Sequence, residues 1–260
     1  MTEQEYRTAP GVNKSTLWNL KRSPAYYKWR LDHPQEDTAA FKFGRAVHAA
    51  ILTPAVFKKD YAVIPEGIDR RTKAGKEEYQ AFLDASAGKE IISAEDAETI
   101  KGIVKAFKKN RDAVDLLKGT KREKALFWTD DNDVECKCRV DAFKAGVMID
   151  LKTATDADTD VFSRESLRYG YDVQCAHYID GYQHKVSSVR PDWYFIVIEK
   201  AEPYSINILK ADIGFLDYGY VRRQWLIELL KSCQETGDFP GYGVNDLCLP
   251  AWASTNDEEG

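Results

Sequence analysis

The stretch Val134–Lys152 constrains this chain more than any other: two alternating runs of polar and apolar residues, broken once at a glycine. Glu135, Lys137, Arg139 and Asp141 share one parity, and Val134, Cys136, Cys138 and Val140 share the other, as in a strand with one apolar face. The break at Lys144-Ala-Gly146 predicts a reversal. Beyond it, Asp150 and Lys152 share a face, with Ile149 and Leu151 opposite. The hairpin so predicted brings Asp141, Asp150 and Lys152 to one polar surface. Two carboxylates and an ammonium in a small space suit a hard divalent cation and a phosphate. A solvated hairpin face carries the same alternation, so the pattern alone leaves both readings open.

The 260 residues suffice for a sizeable core, and the 43% hydrophobic, 12% aromatic and 30% charged composition is that of a soluble globular chain. No apolar run reaches membrane length, and the polar start Met1-Thr-Glu-Gln-Glu5 does not read as a signal peptide, which places the expected location in the cytoplasm. The five cysteines are odd in number and form no Cys-x-x-Cys pair, the pattern of reduced thiols. A net charge of −5 argues against a general nucleic-acid coat. Basic residues nevertheless cluster at Lys14–Arg30, at Arg70, Arg71, Lys73 and Lys76, and through Lys101–Lys124. Phosphate contacts need local patches rather than a basic average.

Helix signals dominate the first third. Asn13 or Ser15 is placed to cap a helix through Leu17 and Leu20, and Ser23-Pro24 supplies a cap and a first-turn proline for the next. Phe41–Leu52 reads as a third helix, and Ser93 caps a longer one with Ala97, Ile100, Val104 and Phe107 at helical spacing. Strands are predicted over 125–129, 134–143, 147–152, 193–198 and 204–209, with helices over 172–185 and 211–234. An irregular tail follows, expected to pack through Tyr242, Leu249 and Trp252, and residues 60–90 read as an inserted lobe. This order predicts a single α/β domain over 1–260, with a helical part over about 10–120, a catalytic core over about 121–235 and a tail over 236–260.

Several short motifs surround the hairpin. Asp141 and Asp150-Leu-Lys152 resemble the core of the PD-(D/E)xK nucleases. Phe43-Gly44-Arg45-Ala46-Val47-His48 resembles the Gly-x-x-x-His signature of their RecB-like branch, and Gln174-Cys-Ala-His-Tyr178 its Gln-x-x-x-Tyr helix. Asn13–Leu17 with Ser23–Tyr26 looks like that branch's opening helix pair. Asp69–Lys76, Gly170–Gln174, Phe239-Pro-Gly-Tyr242 and Leu249-Pro-Ala-Trp252 look like the RecE-type (exonuclease VIII) domain. Each element also has a plain reading. His48 lies in an apolar helical stretch that would accept a core histidine, Gln174 and Tyr178 could form a polar helix edge, and Glu123 is either an acid near the site or an exposed strand end.

The resemblance implies the restriction-endonuclease-like fold, a central mixed sheet flanked by helices. It implies metal ligation by His48, Asp141, Asp150 and the carbonyl of Leu151, with Lys152 as catalytic base or oxyanion partner and Gln174 and Tyr178 as positioning groups. Mg²⁺ is the expected ion, Mn²⁺ a substitute, and Ser23 at the position of a cluster cysteine speaks against iron–sulfur. The implied activity is processive 5′→3′ digestion of double-stranded DNA ends, leaving 3′ tails for a RecT-type single-strand annealing protein. A ring-like homo-oligomer, a tetramer, is implied with it, and Arg70, Arg71, Lys73 and Lys76 are candidates for DNA contact. Alternatives are an endonuclease or structure-specific nuclease on the same core, and a non-catalytic DNA-binding module.

Overall fold

The computed structural model describes residue 1 and residues 3–249. Its helices are α1 (Glu3–Thr8), α2 (Lys14–Leu17), α3 (Pro24–Asp32), α4 (Ala39–Leu52), α5 (Pro54–Asp60), α6 (Lys73–Ala85), α7 (Ala94–Lys109), α8 (Arg111–Leu117), α9 (Thr159–Tyr169), α10 (Tyr171–Lys185) and α11 (Ile213–Thr236). Its strands are β1 (Tyr61–Val63), β2 (Glu90–Ile92), β3 (Lys121–Thr129), β4 (Glu135–Lys144), β5 (Val147–Ala154), β6 (Asp192–Glu199) and β7 (Ile206–Lys210). The expected caps are in place: Asn13 Oδ1 accepts from Thr16 N–H at 2.8 Å, Ser23 Oγ from Tyr26 at 3.1 Å and Ser93 Oγ from Asp96 at 2.9 Å.

Strands β3-β4-β5-β6-β7 form one mixed sheet in that order. Among these five, only β5 and β6 run parallel, and the chain crosses between them through α9 and α10. One face of the sheet packs Val140, Met148, Trp193 and Phe195 with Val173, Ile179 and Leu226 of α10 and α11. The other packs Ile149, Leu151, Ile196 and Ile198 with Val47 and Ile51 of α4 and Ile103 of α7. The central sheet flanked by helices is the α/β architecture the sequence predicts.

Two local departures matter. Alternation assigns Lys137 to an open polar face, yet it is 4% exposed. Its ammonium donates to the carbonyls of Tyr6, Arg7 and Ala9, which cover it. The same N-terminal segment adds Val12 beside β4, with Val12 N–H donating to Glu135 O and Lys137 N–H to Val12 O. The tail also differs: Tyr242 and Leu249 are exposed, and Phe239 anchors it by stacking on Tyr27. Trp252 lies outside the described residues. In the 60–90 segment, β1 pairs in parallel with β2 and α6 lies between them in sequence.

A buried polar network ties α10 and α11 to the sheet. Arg223 lies 2.7 Å from Asp180 Oδ2 and 3.2 Å from Asp130 Oδ2, and Trp128 Nε1 donates to Asp180 at 2.6 Å. Arg223 Nε faces His177 Nδ1 at 3.3 Å while His177 Nε2 faces Lys137 O at 3.1 Å. Those partners fit a neutral ring that accepts at Nδ1 and donates at Nε2. Burial, reinforced by Arg223, pulls its pKa down to about 3.

Candidate metal and catalytic site

The hairpin opens where its acids stand. Ladder pairs run Lys144↔Val147, Phe143↔Met148 and Ala142↔Ile149, then stop. The next positions are Asp141 and Asp150. Asp141 Oδ2 accepts from Leu151 N–H at 2.8 Å, so a carboxylate of β4 engages the backbone of β5 where the strands part. On the other side of β4, Glu123 lies opposite Asp141, between the pairs Arg122↔Ala142 and Lys124↔Val140. Its φ of 49° is left-handed, an unusual conformation for a glutamate in a strand.

Helix α4 brings His48 to this row, its Nδ1 3.4 Å from Asp141 Oδ2. Ligand atoms of His48, Glu123 and Asp141 all lie within 4.8 Å of one another. Glu123 Oε2 also lies 3.0 Å from Arg139 Nε, which holds the carboxylate in place.

Asp150 and Lys152 form a second cluster. Lys152 Nζ is 2.6 Å from Asp150 Oδ2 and donates to Gln174 Oε1 at 3.1 Å, while Gln174 Nε2 donates to Asp150 Oδ1. Gln174 on α10 therefore orients both members of the pair. The ammonium also lies 4.4 Å from the centre of the Tyr171 ring. Burial alone would lower Lys152, but Asp150, Tyr171 and Asp141 outweigh it and hold the group above the ordinary lysine range. Burial raises Asp150, with Asp141 adding to the rise and Lys152 opposing it.

By distance Lys152 and Asp150 Oδ2 are an ion pair, yet that oxygen is fully buried and lacks a partner in hydrogen-bond geometry. Together with the converging His48, Glu123 and Asp141, this oxygen makes a donor set of mostly carboxylate oxygens that fits Mg²⁺ or Mn²⁺ better than Zn²⁺.

The structure thus brings His48, Asp141, Asp150, Lys152 and Gln174 into one region, and Leu151 stands between the two acids with its N–H on Asp141. Tyr178 follows Gln174 by one helical turn, and its ring meets Trp193 edge-on at 5.9 Å. Burial, reinforced by Tyr6 and Cys138 and then by Asp150 and Asp141, puts its phenol well above the usual range. Glu123 is the residue that the motif pattern undervalues: its place depends on the β3–β4 register, which no short motif encodes. Arg70, Arg71, Lys73 and Lys76 are all exposed, near the start of α6. Arg71 forks onto Asp69 at 2.9 and 3.0 Å, Arg70 covers the Tyr79 ring at 4.8 Å, and Lys73 lies 3.9 Å from Glu77.

The sequence matches no curated protein. Among solved structures, a candidate exonuclease from Eubacterium rectale superposes with a TM-score of 0.61 at 12% identity, over 99% of this chain and 98% of that one. That likeness concerns the fold. A family model described as a PDDEXK-like domain of unknown function (DUF3799) matches residues 14–249. With its mixed sheet and the acids at the parting of β4 and β5, this chain belongs to that PDDEXK-like family.

Proposed function

We propose that this protein is a divalent-metal-dependent deoxyribonuclease that digests double-stranded DNA from its ends. The observation that carries the reading is the five-residue site at the opened hairpin: His48, Glu123 and Asp141 in one cluster, and Asp150 and Lys152 locked by Gln174 beside it. His48, Glu123, Asp141 and Asp150 would hold Mg²⁺, which when bound neutralises phosphate charge and makes its water a better nucleophile. Water gives a proton to solvent and adds to phosphorus, the bond to the leaving oxygen breaks and that oxygen takes up a proton, and negative charge grows on the non-bridging oxygens on the way. Lys152 would meet that charge as a donor, its ammonium held by Asp150 and Gln174. Gln174 holds the lysine to the acid through both ends of its amide.

The finer reading rests on the RecE-type motifs: 5′→3′ polarity, processive digestion in a ring of subunits, and a RecT-type annealing protein to receive the 3′ strand. The test is a linear duplex labelled at either the 5′ or the 3′ terminus, with Mg²⁺, Mn²⁺ or EDTA, beside a closed circle. Early release of the 5′ label, with the circle intact, is the expected result. Cleavage of the circle would replace the exonuclease with an endonuclease, and no cleavage with either metal would leave a binding module.

A further inference from the structure

On the surface beyond Lys152, aromatic rings and cations alternate. The Tyr171 ring lies under Lys152 and also 5.6 Å from Lys14 Nζ. Lys14 in turn sits 5.4 Å from the Trp18 ring, which Arg222 covers at 4.7 Å and Lys21 at 4.8 Å. Arg222 also lies 5.2 Å from the Tyr218 ring. The series ends in an open groove of about 480 Å³ between Trp18, the end of α9 and one face of α11, with Arg168 and Trp225 on its walls.

Helix α11 explains why this face is open. Leu216, Gly219, Arg223, Leu226, Ile227, Leu230 and Cys233 are its buried positions. Tyr218 and Trp225, seven residues and so about two turns apart on one stripe, are 54% and 52% exposed. Two large half-exposed rings and three cations on the groove walls (Lys21, Arg168, Arg222) call for an anion with flat apolar parts. The buried carboxylate that faces them, Asp172, is 2.7 Å from Arg222 and fixes that guanidinium. Phosphates between bases meet both demands, and bases must be unpaired to lie on a ring.

We propose that this groove binds the unpaired nucleotides of a DNA strand whose neighbouring phosphate lies at Asp141 and Asp150. The inference rests on the nuclease reading for its substrate, and it adds a place where bases stack on Trp225 and Tyr218 while Arg222, Lys21 and Arg168 follow the backbone. A duplex end must then fray before it reaches Lys152.

The test is fluorescence anisotropy of a short fluorescein-labelled oligothymidylate with the full chain in EDTA, where no cleavage competes. Trp225→Ala, at a half-exposed position that leaves the core intact, weakens binding about tenfold or more, and Trp225→Phe restores most of it. An abasic oligomer of equal length binds the wild type no better than oligothymidylate binds Trp225→Ala. Equal affinity of wild type and Trp225→Ala, or of the abasic and thymidylate oligomers, overturns the proposal. So does capture of an acidic aromatic peptide in this groove by a wild type that ignores oligothymidylate. Metal-dependent cleavage of duplex without oligothymidylate binding defeats the groove alone. Stacking-dependent binding without cleavage in Mg²⁺ or Mn²⁺ supports the groove and defeats the nuclease reading.

Discussion

Asp141 Oδ2 accepts the backbone N–H of Leu151 at 2.8 Å, so the first acid of the site is oriented by the peptide that links the second acid to the lysine. The three motif residues are thus mechanically joined. A shift of β5 that moved Lys152 would also move the donor that fixes Asp141.

Lys152→Ala and Asp150→Asn should each lower metal-dependent hydrolysis of linear duplex at least about 100-fold, the scale of losing one group that stabilises developing charge. Both should also unfold more readily, since the pair is nearly buried and breaking a buried ion pair costs about 3–5 kcal/mol. Thermal melts in EDTA read the second effect apart from the first. Full activity in either variant would remove the site.

Glu123→Gln keeps size and removes charge from the cluster with His48 and Asp141. The Mg²⁺ concentration for half-maximal cleavage should rise about tenfold or more, with a smaller effect on the rate at saturating metal. An unchanged metal titration would make Glu123 only a partner for Arg139.

His177 gives a signed pH dependence. Its pKa is about 3 in the folded chain against 6.5 for an ordinary histidine, so below 6.5 the unfolded state takes a proton that the native state refuses. Stability is therefore full above 6.5 and lost as pH falls toward 3, by up to about 1.4 kcal/mol per pH unit for one such group. The midpoint of thermal unfolding of His177→Gln should fall less steeply over that window. Parallel curves for variant and wild type would exclude His177 as the cause.

If the start of α6 meets DNA, combined Arg70→Ala, Arg71→Ala, Lys73→Ala and Lys76→Ala substitutions should weaken duplex binding. They should also flatten its salt dependence, by about 0.9 in slope for each phosphate no longer neutralised. Identical slopes would confine these residues to local pairing with Asp69, Tyr79 and Glu77.

Helix packing offers a test of stability. A Cβ on Gly219 would lie 2.1 Å from the Asp172 carbonyl, where α10 and α11 nearly touch. Gly219→Ala should cost about 1–3 kcal/mol through overpacking, read as a lower unfolding midpoint. Unchanged stability would mean that the two helices separate freely.

The hairpin and its acids are legible in the sequence because charges at strand parity interrupt otherwise apolar runs, and cap residues mark the long helices. Glu123 is not legible, since its role depends on which residue β4 sets across from it. Lys137 misleads for the opposite reason. Alternation registers the side chain's face, whereas its burial comes from a segment more than a hundred residues earlier. Arg223, Asp130 and Asp180 look like solvated charges one by one, and only the approach of α11 to the sheet turns them into a buried network. The predicted elements omit α9, most of whose residues are polar and whose buried positions are Phe162 and Ser166.

Lys137 has one more implication. Its ammonium is solvated, in effect, by the carbonyls of Tyr6, Arg7 and Ala9, and it sits two turns of the pleat before Asp141 on the same strand. Cutting away the first nine residues would strip that coordination and leave a bare cation under β4. Amide exchange along β4 is thus a remote gauge of whether the start of the chain is in place.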